Sequence, residues 1–312
     1  MPQQYLALDF GGTFTKYALM DKAGAFLAQG KTPSGRGSLE QMLAAVRPLR
    51  DAFAGQYAGV AVSMPGRIDA ARGVACTGGS FHFIRDTPMQ ALLEEMFGAP
   101  VTIANDGKCA ASAEAWNGAL ADVEDGVVIV LGTGTGGGIV LGGRVRMGCA
   151  FGAGELSYLG VDLHRLVERG LEKTPDSMES IWANYMSATG LLKFYGRCKG
   201  LDGPIPGVDG LAFFAAYDRG EPEARAALAR FGQYAAAGIY SMQAVLDVQR
   251  VAIGGGISAR PEVTAVIRDS VDRLFEAIPF TTFGRPEVVP CRHGNNANLM
   301  GALSFHLDRH GG

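Results

Sequence analysis

The sequence predicts an α/β protein built of two halves, and three observations support this prediction. Short apolar runs with the length of a buried strand end in glycine-rich bends, as YLALDF does before Gly11. The arrangement of strand, glycine-threonine bend and strand returns in residues 125–148, which makes a weak internal repeat. Apolar residues also recur at helical spacing, most clearly from Ala224 to Leu246. Each copy of the repeat therefore opens one half of the chain.

The amino-acid composition is that of an ordinary globular protein. Its 312 residues are 47% hydrophobic and 19% charged, with a formal net charge of −3. This charge gives no reason to expect a nucleic-acid partner. The sequence has no apolar run of the roughly 18 residues that a membrane helix needs, and its first ten residues do not resemble a signal peptide. We therefore expect neither a signal peptide nor a membrane partner. The five cysteines never form a CxxC pair, which favours free thiols in a reducing cytoplasm.

The first glycine bend joins two predicted strands, not a strand and a helix. Residues 13–20, after Gly11 and Gly12, are rich in strand formers, and the turn DKAG precedes a further strand, AFLAQGK. A dinucleotide fingerprint needs a helix after its glycines. The GKT of residues 30–32 ends like a Walker loop, but Ala25 stands where the first glycine of that loop belongs. Neither of these phosphate loops is therefore predicted.

A glycine bend between strands still exposes backbone N–H groups that can bind phosphate oxygens. Thr13 and Thr15 add hydroxyl groups, Lys16 adds a cation, and Asp9 is placed to hold the magnesium ion of a nucleotide through water. The alternative is a glycine-rich turn beside a solvated lysine. This stretch alone leaves both interpretations open.

Two further glycine clusters strengthen the nucleotide interpretation. The bend GTGTGGG repeats the first arrangement, and VAIGGGIS is a third strand ending in glycines, which permit close approach of a base or ribose. We therefore predict that the nucleotide contacts Asp9, Gly11, Gly12, Thr13, Lys16, Gly132, Thr133, Gly134, Gly136, Gly137, Gly254, Gly255 and Gly256.

A helix is predicted to begin at Asn105 and Asp106, directly after the strand VTIA. Asparagine and aspartate are common helix caps. A carboxylate at such a position also suits a catalytic base. Local sequence leaves capping and catalysis equally open.

The motifs DFGGTFTK, ANDGKCAASAE, GTGTGGG, GAGELSYL and IGGGIS, in that order and spacing, resemble the ROK family of sugar kinases. This family belongs to the superfamily of actin, hexokinase and heat-shock chaperone ATPases. The resemblance implies a two-lobed actin/hexokinase-like (ribonuclease H-like) α/β fold, with ATP and sugar in the cleft between the lobes. Residues 1–118 with the helix 295–312 would form the small lobe, and residues 119–294 the large lobe.

The resemblance also implies site roles and cofactors. Asp106 would be the base that deprotonates the sugar hydroxyl, Asn105 would hold the sugar ring, and Glu155 would accept hydrogen bonds from sugar hydroxyls. ATP and Mg²⁺ would be the cofactors, with Asp9 as the magnesium residue. Family members are commonly homodimers, so a homodimer is expected.

The sequence departs from the common family pattern at Tyr158, where most members have histidine. No cysteine lies between Glu155 and Cys198, so we expect no zinc site, and His164 is expected to be an ordinary surface residue. The motifs DFGGTFTKY, NDGK, GELSYL and ANYMSATGLL resemble the zinc-less subgroup that includes bacterial β-glucoside kinases. This resemblance implies that Tyr158 is a substrate-binding residue. That subgroup phosphorylates the 6-hydroxyl of a glucose ring, free or in a disaccharide such as cellobiose.

Other functions remain open at this stage. Within the enzymes, the alternatives are a glucokinase or another hexose or N-acetylhexosamine kinase. A different class is a non-catalytic, sugar-sensing regulator. Such proteins carry a helix-turn-helix domain ahead of the first glycine motif, and we expect none here because Asp9 is the ninth residue. A chaperone-like ATPase would lack the pairing of ANDGK with GAGE.

Overall fold

The computed structural model describes residues 3–161, 180–278 and 282–311, so His164 lies outside the described residues. The chain divides into two compact units. The first consists of Met1–Ala121, Arg144–Gly154 and Asn295–Gly312, and the second of Asp122–Gly143 and Glu155–Gly294. The lobe boundaries inferred from the sequence stay a prediction.

The first unit is built on a sheet of order β3-β2-β1-β4-β8. Its strands are β1 (Gln4–Phe10), β2 (Phe14–Asp21), β3 (Phe26–Pro33), β4 (Gly59–Met64) and β8 (Val101–Asn105). Strands β1, β2 and β3 form antiparallel pairs, whereas β4 and β8 run parallel to β1. Every residue of β4 and β8 is buried, as expected for parallel strands covered on both faces.

Helices and a small second sheet complete the first unit. The helices are α1 (Leu39–Ala52), α2 (Met89–Phe97), α3 (Asp106–Asn117) and, at the end of the chain, α8 (Ala297–His310). The small sheet contains β5 (Ile68–Asp69), β6 (Val74–Thr77) and β7 (Arg85–Thr87). Helix α8 packs on β1, β4 and α3, which places the C-terminal segment beside the start of the chain.

The second unit repeats this sheet topology. Its strands are β9 (Gly126–Leu131), β10 (Thr135–Leu141), β12 (Arg250–Gly254) and β13 (Glu287–Pro290), in the order β10-β9-β12-β13. As in β2-β1-β4-β8, an antiparallel hairpin precedes two strands parallel to its first strand. The predicted repeat is confirmed. The predicted strand RVRMG is shorter than expected: β11 covers only Arg144–Val145, residues that belong to the first unit.

The helices of the second unit enclose a core around Trp182, whose side chain is fully buried. They are α4 (Ala188–Cys198), α5 (Gly210–Asp218), α6 (Pro222–Leu246) and α7 (Pro261–Ala277). Helix α6 confirms the helix predicted from the apolar spacing, and it ends where Asp247 adopts a left-handed conformation. Among the described residues, no helix is long and apolar enough to span a bilayer.

Candidate active site

The first glycine bend connects β1 to β2, as predicted. A Cβ atom at Gly11 would lie 2.8 Å from the backbone oxygen of Phe14, so only glycine fits there. The hydroxyl of Ser34 donates a hydrogen bond to the Gly11 oxygen at 2.7 Å, which stabilises the bend. Lys31 and its neighbours in GKT lie in β3, which confirms that they form no Walker loop.

Thr15 faces inward, which corrects the expectation that its hydroxyl adds to the phosphate site. The side chain is fully buried, and its Oγ1 atom lies 3.1 Å from Ser34 Oγ in a hydrogen bond. Thr15 pairs with buried Phe10 across the two strands, and directly opposite residues share a face of the sheet. Thr15 therefore stabilises the bend, whereas Thr13 is exposed.

Asp9 is a nearly buried carboxylate with three polar neighbours. Its Oδ1 atom accepts hydrogen bonds from Ser63 Oγ at 2.9 Å and from Asn298 Nδ2 at 3.1 Å. Its Oδ2 atom lies 3.8 Å from Lys16 Nζ, which also donates to the backbone oxygen of Asn295 at 3.1 Å. Burial raises the pKa of Asp9, and the Lys16 charge and the two hydrogen bonds act against that rise.

Strand register explains why these groups meet. Asp9 stands opposite Lys16 in β2 and opposite Ser63 in β4, and Met64 stands opposite Asn105 at the end of β8. The carboxyl ends of parallel strands lie at one edge of a sheet, where ligands of α/β proteins commonly bind. The predicted residues of the first unit therefore gather at that edge.

Asn105 and Asp106 form a hydrogen-bonded pair at the start of α3. Asn105 caps the helix, because its side chain accepts a hydrogen bond from the Lys108 backbone at 3.1 Å. The Asn105 amide also donates to Gly66 O at 2.9 Å and to Asp106 Oδ1 at 3.0 Å. Asp106 Oδ1 accepts a further bond from the Gly107 N–H at 2.8 Å. Capping and orientation of the carboxylate are thus done by the same residue.

Sequence analysis missed three residues at this edge, namely Ser63, Asn298 and Cys109. The Cys109 side chain is fully buried and hydrogen-bonded with Ser63. Burial raises the pKa of the Cys109 thiol well above its usual value, and the charges of Asp9 and Asp106 raise it further. Cys109 is therefore a neutral, buried thiol near both carboxylates. The sequence held one signal for Asn298, the polar run HGNNAN just before an apolar helix.

In the second unit, the bend between β9 and β10 is held by the start of α4. The oxygen of Gly132 accepts a hydrogen bond from the Ala188 N–H at 2.8 Å, and Thr135 Oγ1 donates to Met186 O. Thr133 and Gly134, at the tip, are exposed. This arrangement gives a fixed bend with an exposed tip, whose carbonyl oxygens accept hydrogen bonds from Gly132 and Thr189.

The third glycine cluster lies against the same bend. Gly255 has a φ of +92°, and a Cβ atom there would overlap the backbone of Leu131, the last residue of β9. Nothing lies within 4 Å of a Cβ atom at Gly256. The structure therefore brings the second and third clusters together. Gly137 is buried against Val128 and Leu156, so packing alone explains the glycine at this position.

The predicted sugar residues of the second unit lie at a single helical turn. Glu155 is exposed and immediately precedes the 3₁₀ helix Leu156–Tyr158. Leu156 is buried, which anchors this turn in the core, and Tyr158 leaves 70% of its surface exposed. Glu155 and Tyr158 thus lie at the two ends of one turn that is anchored in the core.

The carboxylate of Asp9 suits a magnesium ion. In the described part of the chain, no three His, Cys, Asp or Glu side chains are grouped to hold a metal ion. Mg²⁺ needs no such group, because it binds through one or two carboxylates together with substrate phosphates and water. The ordered carboxylate of Asp9, with Oδ2 directed at a cation, fits that requirement.

Comparison with known proteins gives one consistent result. A family model described as the ROK family matches residues 5–309. The chain is 28% identical to a beta-glucoside kinase of Klebsiella pneumoniae over 304 residues, covering 97% of this chain and 95% of the relative. It is 26% identical to an N-acetyl-D-glucosamine kinase of Escherichia coli O157:H7 over 310 residues, covering 97% and 99%.

Solved structures agree with the sequence relatives. The chain matches a ROK family glucokinase from Streptomyces griseus, solved in complex with glucose and AMPPNP, with a TM-score of 0.79 and 25% identity. The match covers 97% of this chain and 98% of the glucokinase. The predicted actin/hexokinase-like α/β fold is therefore confirmed.

Proposed function

Because the chain belongs to the ROK family, as its motifs predicted, we propose that it is an ATP-dependent sugar kinase. The reaction proposed is phosphorylation of the 6-hydroxyl of a glucose-type ring. The observation that carries the proposal is the ordered pair Asn105–Asp106, at the same sheet edge as Asp9 and Lys16. Curated relatives that match nearly the whole chain are named as sugar kinases, which supports the same reaction class.

Asp106 is proposed as the general base. For phosphoryl transfer, the protein must position the attacking hydroxyl, accept its proton and neutralise the charge of the phosphates. The Asn105 amide and the Gly107 N–H hold one carboxylate oxygen of Asp106 in place. The positive end of the α3 dipole favours the ionised carboxylate that a base must be. These two hydrogen bonds and the helix dipole support the assignment of Asp106 as the base.

Asp9, Lys16 and the first bend are proposed to receive the phosphates of ATP. Lys16 supplies the positive charge, and Thr13 with the backbone N–H of Gly12 supplies hydrogen-bond donors. The Gly11 N–H already donates to Phe14 O at 3.2 Å, so Gly11 contributes the close approach that its lack of a side chain permits. Mg²⁺, when bound with the nucleotide, neutralises phosphate charge, and Asp9 would hold it through water. We assign the exposed tip of the second bend and the third glycine cluster to the rest of the nucleotide.

Glu155 and Tyr158 are proposed to bind the sugar. An exposed carboxylate accepts hydrogen bonds from sugar hydroxyls, and the neighbouring aromatic ring offers an apolar face. A β-glucoside such as cellobiose is the substrate class we favour, because Tyr158 leaves most of its surface open. A glucokinase or another hexose or N-acetylhexosamine kinase is the alternative, and the relatives include an N-acetyl-D-glucosamine kinase.

A coupled assay for ADP release tests this proposal. Magnesium-ATP would be supplied with glucose, cellobiose, gentiobiose, mannose, fructose, N-acetylglucosamine or N-acetylmannosamine, each against a blank without sugar. Sugar-dependent ADP release supports a kinase, and the ranking of kcat/KM identifies the substrate class. Faster turnover of glucose with inert cellobiose would contradict the β-glucoside assignment. Sugar binding without ADP release would contradict a kinase and support the alternative function, a sugar-sensing regulator.

A homodimer in the cytoplasm completes the proposal. Five cysteines that are free thiols suit a reducing compartment. The dimer is proposed because family members are commonly homodimers, so it needs its own measurement. Light scattering after size exclusion should give twice the chain mass of 32.7 kDa, and the single mass would contradict the dimer.

A further inference from the structure

The start of α8 contacts both charged groups of the first glycine bend. Asn298 Nδ2 donates to Asp9 Oδ1 at 3.1 Å, and the backbone oxygen of Asn295, one turn earlier, accepts from Lys16 Nζ at 3.1 Å. Asp9 and Asn298 are 289 residues apart in sequence. A segment at the end of the chain therefore orders the carboxylate and the ammonium group at its beginning.

Ser63 supplies the second donor to the same oxygen. It is fully buried, lies opposite Asp9 in the parallel pair β1–β4, and donates to Oδ1 at 2.9 Å. The two donors approach from different elements, a strand and a helix, so together they fix the carboxylate plane. Oδ1 is satisfied inside the protein, whereas Oδ2 faces the Lys16 ammonium group at 3.8 Å.

We propose that Asn298 and Ser63 are positioning residues that hold Asp9 by Oδ1 and leave Oδ2 to the hydrated magnesium ion of the nucleotide. This inference rests on the proposed function and adds to it two residues that bind no ligand themselves. Partners that orient a metal carboxylate usually matter almost as much as the carboxylate, and removing one typically weakens metal affinity roughly 10–100-fold. Neither residue belongs to the glycine motifs.

The test measures binding as well as turnover. Isothermal titration calorimetry would give the affinity for AMPPNP with and without Mg²⁺ in the parent protein, Asn298→Ala and Ser63→Ala. We expect Mg²⁺ to strengthen AMPPNP binding in the parent, and this strengthening to shrink about tenfold or more in each variant. AMPPNP affinity without Mg²⁺ and sugar affinity should stay at the parent value. In turnover assays, KM for magnesium-ATP should rise while KM for sugar does not.

Asn296→Ala is the matched control. Asn296 is an asparagine in the same turn whose side chain makes no capping bond, so its variant should keep the parent Mg²⁺ effect. Melting temperatures identify a variant that fails to fold. Because Ser63 and Asn298 lie in different elements, either variant tests the inference if the other does not fold. A parent-like Mg²⁺ effect in a folded Asn298→Ala or Ser63→Ala variant overturns the inference alone. A parent protein that does not bind AMPPNP overturns the proposed function with it.

Discussion

Gly301 of α8 lies directly against the backbone carbonyl of Cys109 in α3. A Cβ atom at Gly301 would overlap that oxygen, so the two helices pack closer than any larger residue allows. A hydrogen bond of 3.0 Å between Ser112 and Ser304 joins them one turn further on. Helix α3 begins at the proposed base, and α8 begins beside Asp9. The close approach at Gly301 therefore sets the spacing between two parts of the proposed site.

Gly301→Ala is expected to destabilise the protein. The overlapping atom is backbone, which cannot rotate away, so α3 and α8 must separate, at a cost of about 1–3 kcal/mol. Denaturant unfolding should show a lower midpoint. Gly210→Ala is the matched control, because a Cβ atom there meets nothing within 4 Å. Equal midpoints for both variants would contradict the close packing of α3 on α8.

Gly255→Ala should likewise destabilise the second unit, and its neighbour provides the comparison. Gly255 combines a φ of +92° with a Cβ position that overlaps Leu131, whereas a Cβ atom at Gly256 meets open space. We expect the melting temperature to fall by several degrees in Gly255→Ala. Gly256→Ala should melt near the parent protein, and the reverse order would contradict the assigned geometry.

Asn105 allows capping to be separated from orientation of the base. Asn105→Asp keeps an oxygen that can cap α3, but it removes the amide that donates to Asp106 and Gly66. We expect kcat/KM for the sugar to fall roughly tenfold or more, because the base loses a hydrogen bond worth about 1.5 kcal/mol. Melting temperature should change less than in Asn105→Ala, which loses the cap as well. Full activity in Asn105→Asp would mean that the amide does not orient Asp106.

Stability should fall with acidification because of His306 in α8. Its Nδ1 atom is hydrogen-bonded to Thr102 Oγ1 at 3.0 Å, and burial, with a smaller effect of the nearby His310 charge, lowers the pKa of His306 to about 4. The unfolded chain takes up this proton near pH 6.5, so stability present above that pH is lost as pH falls toward about 4.

Unfolding free energies between pH 4 and 8 test the His306 prediction. His306→Gln should flatten the loss between pH 6.5 and 4 relative to the parent protein. His82→Gln is the control, because His82 is exposed and its removal should leave the parent profile. Identical slopes for the parent and His306→Gln would assign the acid sensitivity to other groups.

Local pattern was enough to predict the elements that carry the proposed site. Glycines in a strand–bend–strand context, the start of α3 at Asn105 and the long helix α6 each follow from neighbouring residues, and the structure confirms them. The internal repeat at residues 125–148 was also predicted, and in the structure the two sheets share a topology. These are features that short-range sequence determines.

Features that depend on strand register and helix packing were not predictable. Thr15 is buried because the pairing of β1 with β2 places it opposite Phe10. The number of residues in a bend does not reveal at which residue this pairing begins, so the face on which Thr15 lies could not be predicted. Ser63 lies one residue before the end of the apolar strand β4, and its role follows only from its position opposite Asp9. Asn298 meets Asp9 only because α8 packs on the first sheet.

The central claim is that Asp106 is the base of a sugar kinase, and one comparison tests it most directly. Sugar-dependent ADP release would be measured for the parent protein, Asp106→Asn and Asp51→Asn. Asp51 is an exposed carboxylate paired with its neighbour Arg50, so its variant controls for the change in charge. We expect kcat to fall roughly 10²–10⁴-fold in Asp106→Asn, with sugar binding retained, and to stay at the parent value in Asp51→Asn. Parent-like turnover in a folded Asp106→Asn variant would contradict the assignment.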